Sequence, residues 1–417
     1  MDYSVALLIA GIVLSFFMTW GVGANDLANV MSTTMGSKAI TVKQAIVIAF
    51  VFEFAGAFWG GLEVTETMRD GIINAGEFYN QPQIFIEGML SVLLASTIWM
   101  NLASYLGLPV SITNALVGGL VGFGSVVIGI EAINWSQVYY IVISWLTSPL
   151  IAGIGAYLLF LSIQQSIFIQ RDPLMKAKIY IPFYFFLVGS ILSILIVFKG
   201  LNHFKLHLNF LVYTLITLAS AATITIIGVI YISRLPQNVR LTRHERFVQV
   251  EKYFAILMAL TSCAMVFAHG SNDVSLAVGP LSVIYSLVMH ADQPLAVNNY
   301  PAWIIIFACS GVLLGFLMYG RKVIETVGSA ITALTPSRAF AATLAAATTV
   351  ELANSTGIPV SATQTLVGAV FGVGLARGIG ALNLIVMRNI FMSWILTLPA
   401  VSLLTILAFK ALHASLH

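Results

Sequence analysis

LPVSITNALVGGLVGFG, residues 108–124, returns 250 residues later as IPVSATQTLVGAVFGVG, residues 358–374. Nine of the 17 aligned positions are identical. A second pair stands in the same order: Gly23-Ala-Asn25-Asp26-Leu against Gly270-Ser-Asn272-Asp273-Val, 247 residues apart. A third, weaker pair sets Val64, Glu66 and Thr67 against Val323, Glu325 and Thr326. Greasy sequence repeats by chance, but shared Pro, Ser, Thr and Asp positions in fixed order point to a duplicated unit.

The surroundings are apolar. Of 417 residues, 59% are hydrophobic and 8% charged, against about 25% charged in a soluble domain. So little charge cannot clothe a water-facing surface, and the chain reads as a polytopic membrane protein. The length accommodates about twelve helices of ~20 residues. A net charge of +3, thinly scattered, argues against nucleic acid. Cys263 and Cys309 sit in apolar runs and give neither a disulfide framework nor a metal pair. The start, Met1-Asp2-Tyr3, lacks the positive region of a signal peptide, so the first segment reads as a retained helix.

Charge orients the spans, because excess Lys and Arg mark the cytoplasmic side. Segment 233–252 carries Arg234, Arg240, Arg243, Arg246 and Lys252 against Glu245 and Glu251. Segment 164–178 carries Arg171, Lys176 and Lys178, whereas 63–87 has five acids against Arg69 alone. Counting outward from 233–252 puts 199–207, 63–87 and 290–300 outside, with both termini. It puts Lys38, Lys43, Arg321, Lys322, Arg338 and Arg377 inside. Segments 63–87 and 321–338 hold the same place in the two copies yet fall on opposite sides. The expectation is an all-α membrane protein of about twelve spans, with two inverted-topology repeats. The first repeat is 1–163, the second 251–417, and 164–250 links them. Inverted repeats characterise secondary transporters, whose sites lie near the midplane at the repeat interface.

An acid in hydrocarbon costs several kcal/mol unless it is partnered or hydrated, so Asp26 and Asp273 mark a site. With Asn25, Asn29 and Asn272 beside them, and glycines that let a helix unwind, they offer hard oxygen ligands for sodium, or a carboxylate for a proton. A helix N-cap is the bland alternative. Pro109 and Pro359 suit the first turn of a helix. Ser111, Thr113, Ser361 and Thr363 then lie in that first turn, with Asn114 and Gln364 next in sequence, and two such helix starts favour an anion through free N–H groups and the dipole. For the helix starts to reach the midplane, segments near 26–38, 106–114, 273–283 and 356–364 must be broken or re-entrant half-helices. Glu53 lies mid-span, with Gly56 and Gly60 on its face, and reads as functional. His269 has Val22 as its counterpart and reads as packing. Glu351, near a span end, reads as reaching the interface. Gly118/Gly122 and Gly368/Gly372 read as close helix packing.

These motifs resemble the PiT family of inorganic phosphate transporters. GANDLAN at 23–29, GSNDVSLAVGP at 270–280, VFEFAGAFWGG at 51–61 and the two PVS segments carry the resemblance along nearly the whole chain. It implies inward phosphate symport driven by sodium or protons, in some members as a neutral metal–phosphate complex, by a homodimer in the inner (cytoplasmic) membrane. No cofactor beyond the coupling ion is implied. Carried over, Asp26 and Asp273 serve the cations, Glu53 matches a glutamate needed for transport, and Ser111, Thr113, Ser361, Thr363 and Gln364 face phosphate. The sequence departs from the family pattern at Ile112 and Ala362, each in place of a threonine, at Ser275-Leu276 in place of Ala-Asn, and at Thr343 in place of a glutamate. These departures leave room for another oxyanion such as sulfate. An anion channel would not need the buried acids, and a membrane enzyme would need a nucleophile–base pair or metal cluster that the sequence lacks.

Overall fold

The computed structural model describes residues 2–78, 81–203, 209–235, 242–289 and 301–416. Segment 290–300 and Arg240, both assigned a side above, lie outside these residues. Of 199–207, only 199–203 are described, and they continue a helix.

The described chain is helical almost throughout. Helix α1 (Asp2–Val22) runs through a π-helical turn, Gly23–Leu27, into α2 (Ala28–Gly36). Then come α3 (Val42–Gly60), α4 (Leu62–Glu66), α5 (Pro82–Leu106), α6 (Ile112–Val127) and α7 (Trp135–Ile163). Two long helices follow, α8 (Pro173–His203) and α9 (Phe210–Ser233), packed on each other. The order then recurs. Helix α10 (Arg243–His269) leads through a second π turn, Gly270–Val274, into α11 (Ser275–Met289), followed by α12 (Ala302–Tyr319), α13 (Arg321–Glu325), α14 (Pro336–Asn354), α15 (Ala362–Ala376) and α16 (Leu384–Leu416). Further π turns follow α4 at Thr67–Gly71 and α13 at Thr326–Ala330.

Packing recurs with the order. Helix α1 lies against α5 and α12, as α10 lies against α14 and α3. Helix α6 packs on α16 and α15 on α7, so each short helix is held by the last helix of the other copy. The small-residue spacings explain how closely. A Cβ on Gly118 would come 2.6 Å from the Leu398 carbonyl oxygen, and one on Gly372 would come 2.0 Å from that of Gly153. Backbones in such contact gain dispersion energy that lipid tails cannot supply.

Among the described residues, nine helices are long and apolar enough to cross a membrane. A count of twelve would need α6, α14 and α15 as well. The chain breaks before the two short helices as expected. Helix α5 ends on Gly107 (φ 71°), the counterpart turn on Gly357 (φ 72°), conformations that glycine adopts without strain. Pro109 and Pro359 follow, and Ser111 and Ser361 then cap α6 and α15. The prolines thus precede the helices instead of occupying their first turns. At 16 and 15 residues and ~1.5 Å per residue, α6 and α15 are half-helices, too short for a ~30 Å core.

The other two expected breaks are absent. Residues 26–36 and 273–289 are continuous helix. The Asn-Asp motifs are neither unwound nor N-caps. They are π turns, flanked by right-handed helical backbone on both sides. A π turn widens the helix by one residue and loosens its ladder, a feature common at functional sites. The acidic segment is also not a plain loop, since α4, a π turn and the 3-10 turn Ala75–Phe78 fill it.

Candidate functional site

The two Asn-Asp π turns and the two half-helix starts meet in the interior. Asp26, Asp273, Asn25, Asn29, Asn272 and Glu53 are all buried, as are Ser111, Thr113, Asn114, Ser361, Thr363 and Gln364. Asp26 and Asp273 hold the same place in the two π turns, and both are about 1% exposed.

Each Asn holds the linker of its own copy. Asn25 donates Nδ2 to the Leu108 carbonyl at 2.9 Å and accepts the Val110 N–H at 3.0 Å. Asn272 donates to the Val360 carbonyl at 2.7 Å. Non-helical backbone survives at membrane depth only where such groups satisfy it. Other bonds cross between copies. Thr363 donates to the Asp26 carboxylate, and Thr113 donates to the Val360 carbonyl at 2.9 Å. Trp394 Nε1 donates to the Pro109 carbonyl at 3.0 Å and Ser144 to that of Pro359 at 3.4 Å.

The serines act as caps: Ser111 Oγ accepts the Asn114 N–H at 3.4 Å and Ser361 Oγ the Gln364 N–H at 3.1 Å. All four hydroxyls expected at the helix starts are therefore engaged within the protein. Several buried oxygens have no hydrogen-bond partner among the described residues: Asp26 Oδ2, Asn29 Oδ1, Asn114 Oδ1, Asn272 Oδ1 and Gln364 Oε1. An oxygen left this way inside a protein is costly, and oxygens are the ligands that hard cations take.

The copies differ at one place. His269 Nδ1 lies 2.7 Å from Glu53 Oε1, and its Nε2 lies 3.0 Å from Asp273 Oδ2. The first contact is an aligned hydrogen bond, and the second has ion-pair separation without hydrogen-bond alignment. The reading of His269 as packing is thus corrected: it bridges two acids. Two glycines bring α3 and α10 together for this. A Cβ on Gly270 would lie 2.3 Å from the Glu53 carbonyl oxygen, and one on Gly56 would lie 2.0 Å from that of Phe267. The equivalent place in the other copy joins α12 to the first π turn, where Gly23 meets Val312. There Val22 and Val312 stand for His269 and Glu53. The 4-residue spacing of His269 and Asp273 was the available signal, since it puts both on one helix face.

Two smaller expectations resolve here. Glu351 is buried on α14 instead of reaching the interface. Thr343, where the PiT family pattern has glutamate, is buried against Thr33, with their hydroxyls 2.8 Å apart.

The Phosphate transporter family profile matches residues 22–405. The chain belongs to that family. A candidate phosphate permease of Haemophilus influenzae is 46% identical over 404 residues, covering 96% of this chain and 95% of its own. One from Thermococcus kodakarensis is 39% identical, covering 97% of each chain. A solved structure described as the sodium-dependent phosphate transporter matches with TM-score 0.86 and 36% identity, over 98% of this chain and 99% of the other. This member of the family is a multi-pass helical membrane protein.

Proposed function

We propose that the chain imports inorganic phosphate by symport with a cation, bound between two inverted copies of one unit, 1–163 and 251–417. The observation that carries this reading is the bond from Thr363 to Asp26. It ties the acid of one copy to the first turn of the half-helix in the other. A carboxylate there repels an anion at the helix start, and a captured cation turns that repulsion into attraction. The anion then binds well only with the cation present, which is coupling by differential affinity. Asp26, Asn29 and Asp273 supply the cation's oxygens, while Asn25 and Asn272 hold the linkers in place. The starts of α6 and α15 supply N–H groups, the amides of Asn114 and Gln364 and the O–H groups of Ser111 and Ser361, which accept as caps and can still donate, for a tetrahedral oxyanion. Each net positive charge carried inward gains about 2.3 kcal/mol per 100 mV.

Sodium is the coupling ion favoured by the likeness to a sodium-dependent relative of known structure. A proton is the second reading, and the Glu53–His269–Asp273 bridge favours it, because an imidazole between two carboxylates is a built proton site. The inner membrane, termini outside and a homodimer complete the proposal. The test is radiolabelled phosphate uptake into proteoliposomes under sodium and proton gradients imposed separately, with sulfate as competitor and a divalent metal added or chelated. Uptake that ignores both gradients ends the symport reading, and sulfate competing as well as phosphate ends the substrate assignment.

A further inference from the structure

The third sequence match, Thr67 against Thr326, has no place in the site described so far. Both residues lie in π turns that follow short helices, α4 and α13. Thr67 Oγ1 donates to the Gly357 carbonyl at 2.8 Å, across 290 residues. Thr326 Oγ1 donates to the Gly107 carbonyl at 2.9 Å, across 219 residues. The two bonds are the same bond made twice. In each, a threonine of one copy grips the left-handed glycine that opens the other copy's half-helix linker.

We propose that Thr67 and Thr326 are reciprocal positioning residues: each latches the linker of the opposite half-helix and so sets where that helix start presents its N–H groups. A glycine carbonyl at the end of a helix has lost its intrahelical partner, and the latch supplies one from the opposite copy. Ser111 follows Gly107 within about one turn of chain, as Ser361 follows Gly357, so release at the glycine reaches the cap directly. The charge pattern described above places 63–87 and 321–338 on opposite faces of the membrane. By that pattern the two latches lie toward opposite faces.

The Thr326 latch has a further hold beside it. Lys322 Nζ also donates to the Tyr105 carbonyl at 2.9 Å and sits 4.4 Å over the Tyr105 ring, a cation–π distance. The matching position in the first copy is Glu63, an acid where the second copy has a cation. On the Thr326 side, Lys322 thus adds a cationic second hold.

The test reads crossed effects, by hydrogen exchange on the purified full-length chain and by phosphate concentration dependence of uptake. Thr67→Val should speed exchange in 355–361 about three- to tenfold, the loss expected of one neutral hydrogen bond, and leave 105–111 unchanged. Thr326→Val should do the reverse, and weakly, until Lys322→Gln is added. In uptake, Thr67→Val should raise the half-saturating phosphate concentration by a similar factor, and Thr67→Ser should restore both readouts. Thr67→Ala, which cannot crowd its neighbours, should behave as Thr67→Val does. Loosening confined to 62–73, absent from both Val and Ala variants, or not restored by Ser, overturns the latch. The exchange arm holds whether or not phosphate is the substrate, so it fails separately from the functional reading; the uptake arm rests on it.

Discussion

Thr363 donates its hydroxyl to the carboxylate of Asp26, across 337 residues of chain. One copy of the repeat thereby holds the acid of the other at its own half-helix start. Two motifs that stand apart in the sequence are hydrogen-bonded to each other in the fold.

That bond sets the first prediction. A hydrogen bond to a charged group contributes about 1.5–3 kcal/mol, or about ten- to a hundredfold. Thr363→Val should raise the coupling-cation concentration for half-maximal uptake by about tenfold, and Thr363→Ser should recover most of the loss. Asp26→Asn should abolish gradient-driven uptake altogether. An unchanged cation dependence in Thr363→Val would remove the bond from the coupling mechanism.

His269 gives the second. With the imidazole gone, Glu53 and Asp273 face each other buried and unbridged. Breaking such a buried pair costs about 3–5 kcal/mol. His269→Gln should lower the unfolding midpoint, and adding Glu53→Gln should return part of it. The double-variant cycle should leave an interaction energy of about 1 kcal/mol or more. Strict additivity in thermal melts would mean that the bridge carries no coupling energy.

How much of this is legible in the sequence follows a physical line. Charge depletion exposes the membrane class, and Gly-x-Pro-Val-Ser exposes the half-helix starts, because left-handed glycine, proline and a capping serine each act within a few residues. The Asn-Asp turns read as unwound and are not. Glycine permits unwinding, but in α1 and α10 the neighbouring helices pack so closely on Gly23 and Gly270 that the backbone stays helical and takes up one extra residue as a π turn. The role of His269 is hidden because its partner Glu53 lies 216 residues away and the first copy has Val22 in its place. Contacts between copies are invisible to local reasoning, and Thr363 to Asp26, Thr113 to Val360 and His269 to Glu53 are all of that kind.

Close backbone packing supplies the third prediction. A Cβ at Gly372 would stand 2.0 Å from the Gly153 carbonyl oxygen, backbone that cannot turn aside, whereas one at Gly380 meets nothing within 4 Å. Overpacking typically costs about 1–3 kcal/mol. Gly372→Ala should lower the unfolding midpoint of the purified protein, and Gly380→Ala should leave it in place. Equal midpoints would show that α7 and α15 can move apart freely.

The opposed orientation proposed for the two copies yields the last. Segments 62–78 and 321–335 occupy the same place in the repeat, between α3 and α5 in one copy and between α12 and α14 in the other. The charge pattern predicts the first outside and the second inside. Glu77, Lys43 and Arg321 are exposed, so cysteines there are open to reagent. In a background carrying Cys263→Ala and Cys309→Ala, a membrane-impermeant maleimide should label Glu77→Cys on intact cells. It should label Lys43→Cys and Arg321→Cys only after permeabilisation. Labelling of 77 and 321 from the same side would make the copies parallel. A shared anion site would then have to form without the opposed helix starts on which the coupling argument depends.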